Sequence, residues 1–160
     1  GAWRYLIGDT IEFTDIERAE IKITGRTKFF LNTVGSQLSV NKMDAAMREL
    51  EEKFDTTIPE YTICAKRGDD GEFYHFWYLG TELDQKHQDA VAKALDHNLQ
   101  NANKNYKVAR GKALHGVAVH LIAPDKFYDW NAKNKKKGGQ VKMERVMGED
   151  KFNDWEAFVS

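Results

Sequence analysis

Arg26 and Lys28 stand two positions apart in residues 21–38, which read IKITGRTKFFLNTVGSQL. The alternation Ile21-Lys22-Ile23-Thr24 suits a strand with one buried face. On extended backbone the two cations point to one side, and Phe29 and Leu31 point to the other. A guanidinium fork beside a mobile ammonium suits an anionic or polyhydroxyl ligand. Upstream, Tyr5-Leu6-Ile7-Gly8-Asp9 places an acid in a Gly-Asp turn. Such an acid can also simply bond its own backbone. Downstream, Lys142 follows a Lys- and Gly-rich run over 133–139, the composition of a mobile loop. Arg110-Gly111-Lys112 is not a phosphate loop, because Tyr106 stands where the earlier glycine is required.

These residues need a scaffold, and the periodicity supplies one. Residues 11–13 and 20–24 are expected to pair as a hairpin across the loop 14–19. Met43, Ala46, Met47, Leu50 and Phe54 recur at helical spacing over 41–54, with Asn41 as N-cap and Asp44 completing a variant capping box. The methionines read as core filling. Residues 58–66 and 72–79 read as strands around the turn Gly68-Asp69-Asp70-Gly71. The second is aromatic on both faces, which places it centrally in a sheet covered on both sides. His75 within it reads as a hydrogen-bonded structural histidine. A second helix spans 84–101 with Asp84 as cap, and a strand follows over 117–122. A short helix opens at Pro124-Asp125, and Phe152, Trp155 and Phe158 mark a closing helix that needs an apolar surface. The expected fold is α+β: an N-terminal β-hairpin, a split βαβ-like mixed sheet packed with helices, and a C-terminal helix.

At 160 residues the chain is long enough for one domain with a sizeable core. The 24 basic and 25 acidic residues nearly cancel, which argues against a nucleic-acid surface. A single cysteine, Cys64, excludes a disulfide framework or a cysteine-rich zinc site within the chain, so no metal site is assigned. A reducing, cytoplasmic setting fits that usage. No run of 18 apolar residues calls for a membrane helix. The chain begins without Met and meets Trp3-Arg4-Tyr5 at once, so residues 1–160 are read as one piece of a larger protein.

Four ordered segments carry a resemblance. They are Trp3-Arg4-Tyr5-x-x-Gly8-Asp9; Gly25-Arg26-Thr27-Lys28 with Asn32-x-x-Gly35; Leu95-Asp96 to Arg110; and Gly138-Gly139-Gln140-x-Lys142-x-x-Arg145. Together they resemble the C-terminal domain of a bacterial member of the auxin-responsive promoter family, the acyl-acid amido synthetases of the adenylate-forming superfamily. The resemblance spans nearly the whole chain. It implies a mobile, lid-like domain of an ATP-dependent ligase whose N-terminal ATP- and acyl-binding domain is not in this sequence. In such a ligase a carboxylate attacks the α-phosphate of ATP, pyrophosphate leaves, and an amine then takes the acyl group from the adenylate.

The resemblance also implies roles. Tyr5, Gly8, Asp9 and Arg26 would bind nucleotide, with Asp9 and Arg26 on the ribose hydroxyls. Lys28 would be the hinge between half-reactions, and Lys142 would reach the reacting carboxylate and phosphate. ATP and its magnesium would be held mainly by the absent domain. The partners implied are that domain and the acid and amine substrates, with no nucleic acid and no membrane. Two departures stand out: Ser36-Gln37 replaces commonly acidic residues, and Glu144 replaces a frequent proline. An acyl-CoA ligase sharing the first half-reaction is a second reading. A non-catalytic ferredoxin-like binding module is a third, and it predicts salt-dependent oligonucleotide binding.

Overall fold

The computed structural model describes residues 9–26, 30–31, 35–134 and 143–160, with backbone alone for 9–10, 24–26 and 30–31. Two strands, β1 (Asp9–Asp15) and β2 (Glu20–Arg26), form the expected antiparallel hairpin. Its turn has Ala19 at φ 54°, and Asp15 Oδ1 accepts from the Arg18 amide at 3.0 Å. Short strands β3 (Phe30–Leu31) and β4 (Leu38–Ser39) pair with each other. Gly35 between them has φ +81°, a conformation glycine adopts without a Cβ penalty.

Helix α1 (Val40–Phe54) buries Met43, Ala46, Met47 and Leu50, as the periodicity requires. Its cap differs from the expectation. Ser39 is the N-cap residue, and Asp44 accepts a hydrogen bond from the Tyr61 hydroxyl at 2.5 Å instead of closing a capping box. The cap falls two residues earlier because β4 delivers extended backbone up to Ser39 (ψ 154°). At the other end Asp55 turns left-handed at φ 47°, and Glu51 reaches forward to accept from the Ile58 amide at 2.6 Å.

Strands β5 (Glu60–Arg67), β6 (Phe73–Gly80) and β7 (Leu114–Ile122) build one mixed sheet in the order β5-β6-β7. β5 runs antiparallel and β7 parallel to the central β6. One detail is new: β4 stays with β3, so β6 and β7 are direct neighbours joined by a helical crossover. That crossover is a 3-10 turn (Gln85–His87), α2 (Gln88–Ala102) and α3 (Lys104–Arg110). Asp84 caps it, accepting from the Lys86 amide at 2.9 Å. Asn103 breaks the two helices apart and caps the second, its Oδ1 accepting from the amides of Asn105 (2.9 Å) and Tyr106 (3.2 Å).

Because strand side chains alternate, the sheet separates two cores. Ile63, Trp77, Leu79, Val119 and Leu121 face α1, α2 and α3. Cys64, Tyr78 and their neighbours face α4 (Asp125–Lys133) and α5 (Glu149–Val159), which bring Phe127, Trp130, Phe152 and Trp155. Trp155 is the hub there, with ring contacts to Phe127 (4.8 Å), Trp130 (5.5 Å) and Tyr78 (5.8 Å). The closing helix thus has the apolar surface it needs. Gly80 makes room for α4: a Cβ there would lie 3.0 Å from the Phe127 ring and 3.2 Å from the Glu60 carbonyl oxygen.

Candidate functional site

Asp9 and Arg26 are directly opposed at the open end of the β1–β2 ladder, followed by Thr10 opposite Gly25 and a register shift before Ile11 opposite Ile23. Directly opposed residues in an antiparallel pair have Cα atoms about 4.5–5.5 Å apart and share a face of the ribbon. Asp9, expected in a turn, is instead the first residue of β1, and the backbone sets it opposite Arg26 although 16 residues lie between them in sequence. Tyr5, Gly8, Lys28 and Lys142 lie outside the described residues.

The segment after Lys142 is described in full, and it is fastened to the edge of β5. The Ile63 amide donates to the Arg145 carbonyl and the Met147 amide donates to the Ile63 carbonyl, both at 2.9 Å, giving a parallel bridge between Ile63 and Val146. The Thr62 hydroxyl donates to the Glu144 carbonyl at 2.8 Å. Met143 and Met147 are buried in the α4–α5 core. Arg145 Nη1 donates to Glu60 Oε2 at 2.6 Å and to the Tyr61 carbonyl at 3.1 Å. Its guanidinium carbon also sits 4.2 Å from the centre of the Tyr61 ring. The Tyr61 phenol is shifted strongly upward, first by burial and then by its bond to Asp44, so it stays a neutral donor.

Glu144, which stands where relatives often have proline, is anchored on the helix that follows. Its carboxylate is taken by Lys151 on α5. Arg145 closes a sequence motif whose spacing assigns it no role. Its acceptors lie 84 and 85 residues away, and nothing local announces them.

The Leu95-Asp96 to Arg110 motif resolves into a staple between helices and sheet. Arg110 Nε donates to Asp96 Oδ1 at 2.8 Å and Nη2 to Oδ2 at 3.1 Å. The Tyr106 hydroxyl donates to Asp96 Oδ1 at 2.7 Å. Arg110 Nη1 donates to the Leu114 carbonyl at 2.7 Å and to the His115 carbonyl. Burial alone would raise the Asp96 carboxyl, but the Arg110 and Tyr106 bonds outweigh it and hold the pKa below the usual carboxylate value. The neighbouring cleft of about 270 Å³ is lined by Asp89, Lys93, Asp96, Arg110, Gly116 and Val117. With its donors spent on protein acceptors, Arg110 holds the fold and offers the cleft little for a ligand.

His75 is structural, as expected, but it is not hydrogen-bonded: neither ring nitrogen has a partner among the described residues. Burial pushes its pKa down to about 3, and the imidazole is neutral at pH 7. Its ring packs 5.7 Å from Tyr106, as an apolar disc would. Among the described residues no three His, Cys, Asp or Glu side chains are grouped to hold a metal ion, and no helix is long and apolar enough to cross a membrane.

The architecture defines a mixed α/β domain: one sheet covered by helices on both faces, preceded by a hairpin and closed by a C-terminal helix. Residues 41–151 match the GH3 family C-terminal domain, and the chain belongs to that family. In fold it is similar to GH3.15 acyl acid amido synthetase, with a TM-score of 0.67 and 16% identity over 96% of this chain and 31% of that one. The chain therefore spans about a third of that protein's length. An open conformation of 2-hydroxyisobutyryl-CoA ligase in complex with 2-HIB-AMP and CoA aligns over 89% of this chain and 28% of its own, at 18% identity and a TM-score of 0.35. None of the curated proteins compared with the chain matches it.

Proposed function

We propose that this chain is the C-terminal part of an ATP-dependent acyl acid amido synthetase, working with a preceding domain of the same polypeptide. The observation that carries the reading is the family match over 41–151. The opposed positions of Asp9 and Arg26 add support, because a ribose needs an acceptor and a donor side by side. In this reading the Asp9 carboxylate accepts from the ribose hydroxyls and Arg26 donates to them. Lys142 brings its ammonium to the α-phosphate oxygens as the substrate carboxylate attacks phosphorus and pyrophosphate leaves. Charge grows on those oxygens in the transition state, and a positioned cation is worth most there.

ATP and magnesium would be held mainly by the preceding domain, the metal neutralising phosphate charge. The amine then attacks the acyl carbon and AMP departs. Lys28 would let the domain swing between these steps.

The test uses the polypeptide carrying both domains. Lys142→Ala should lower acid-dependent pyrophosphate exchange by about 10²-fold or more, the loss typical for removing one transition-state stabiliser. Transfer of acyl groups from preformed adenylate to amine should change far less. Equal losses in both steps would refute the role given to Lys142. The 160 residues alone should neither exchange pyrophosphate nor bind ATP tightly.

A further inference from the structure

Helices α4 and α5 leave one corner of their sheet face open. Strand alternation puts Tyr74 and Phe76 of β6 and Ala118 of β7 on the face that carries Cys64 and Tyr78. Tyr78 is buried there, whereas Tyr74, Phe76 and Ala118 are half-buried. With the turn Gly68-Asp69-Asp70 they line a cavity of about 350 Å³, within the roughly 300–1,000 Å³ of small-ligand pockets.

The floor of this cavity is held in place. The Tyr74 hydroxyl donates to Asp70 Oδ2 at 2.8 Å, and Asp70 Oδ1 accepts from the Glu72 amide at 3.0 Å. The Tyr74 ring is wedged between two glycines, since a Cβ on Gly68 would lie 3.0 Å from it and one on Gly116 3.2 Å. The turn is closed by the Gly68 amide on the Glu72 carbonyl (2.8 Å) and the Gly71 amide on the Gly68 carbonyl (2.9 Å).

The charges select the ligand. A phenol that donates to a carboxylate gains electron density in its ring, and ring faces attract cations. The chain already sets one cation near this floor: Lys66 Nζ lies 5.0 Å from the centre of the Phe76 ring, its charge matched by Glu156. Asp70 is held ionised, its pKa lowered first by the Tyr74 bond and then by the Glu72 amide. The exposed Asp69 carboxylate has no partner among the described residues. An anion entering the cavity would meet both acids. Stacked bases would bring their phosphates against the same charges, where a nucleic-acid surface needs Lys and Arg.

We propose that this cavity binds a small organic cation, a quaternary or protonated amine carrying an apolar group, with its charge over the Tyr74 and Phe76 rings and beside Asp69. The inference is independent of the ligase reading.

Isothermal titration calorimetry of the 160-residue chain with benzyltrimethylammonium is the test. The cation should bind at least about tenfold more tightly than benzyl alcohol, which offers a ring without charge. Asp69→Asn and Tyr74→Phe should each weaken it about threefold, the low end for one exposed cation contact. Asp69 stands in an exposed turn, so its variant reads binding apart from folding, with far-ultraviolet circular dichroism as the check. Equal affinity for the cation and the alcohol makes the cavity a general apolar pocket and overturns the proposal. Absence of binding at millimolar cation, or binding unaltered in both variants, overturns it as well. A single-stranded oligonucleotide that binds the chain and is lost in Phe76→Leu assigns the face to stacked bases and has the same result.

Discussion

The guanidinium of Arg145 lies 4.2 Å from the centre of the Tyr61 ring while its Nη1 donates to Glu60 at 2.6 Å. One side chain thus grips a ring, a carboxylate and, through the Tyr61 carbonyl, the backbone of β5. Its position three residues after Lys142 sets this clamp close behind the proposed catalytic lysine.

Arg145→Ala should therefore act on chemistry through position. In the two-domain enzyme we expect kcat for adenylation to fall about tenfold with KM for ATP nearly unchanged, the mark of a misplaced group rather than lost ground-state binding. Arg145→Lys should recover little, because an ammonium cannot both stack and donate in a fork. A KM rise with kcat intact would count against positioning.

Asp96→Asn should unfold the domain earlier. It removes a half-buried carboxylate that holds Arg110 in two bonds and accepts from Tyr106. Breaking such a pair leaves a partly desolvated guanidinium, and we expect a loss of about 2–4 kcal/mol in a urea titration.

His75 sets part of the acid sensitivity. Its folded-state pKa, about 3, lies below the ordinary value of 6.5, so the unfolded chain binds the proton first. The penalty starts as pH falls below 6.5, grows until the folded histidine itself titrates near 3, and is absent above 7. Between pH 7 and pH 5 this group should cost about 2 kcal/mol at 1.36 kcal/mol per pH unit. His75→Phe should flatten that part of the stability curve, measured as urea midpoints at the two pH values. The depressed Asp96 carboxyl acts in the same direction at lower pH, and it should persist in the variant.

Gly80→Ala is a packing test. The added Cβ meets the Phe127 ring at 3.0 Å and the Glu60 carbonyl at 3.2 Å, and the carbonyl cannot turn aside. A loss of about 1–3 kcal/mol is expected by thermal or chemical denaturation. Loss of stability with near-ultraviolet dichroism of Trp155 and Trp130 altered would locate the strain beside α4.

Much of this architecture was legible because long periodic segments announce themselves. Met43 to Phe54 and Val91 to Leu99 each repeat at helical spacing, and the doubly aromatic run from Phe73 to Leu79 reads as a covered central strand. The hairpin was legible for the same reason, but two register shifts along its ladder decide which residues oppose. Caps were harder, since Ser39 and Asn41 are equally able residue types and β4 decided between them. His75 was misjudged in its bonding because burial, not sequence, determines whether a ring nitrogen finds a partner. The grip of Arg145 on Glu60 could not be read at all, since pairing across 85 residues is set by how the sheet edge and the tail meet.

The strip from Glu144 to Met147 has a consequence for handling the protein. By lying along β5 it occupies backbone groups that would otherwise form a bare sheet margin open to any passing strand. A version shortened to Asn134 would lose that guard together with α5, and we expect it to precipitate through margin-to-margin stacking while the intact chain stays in solution.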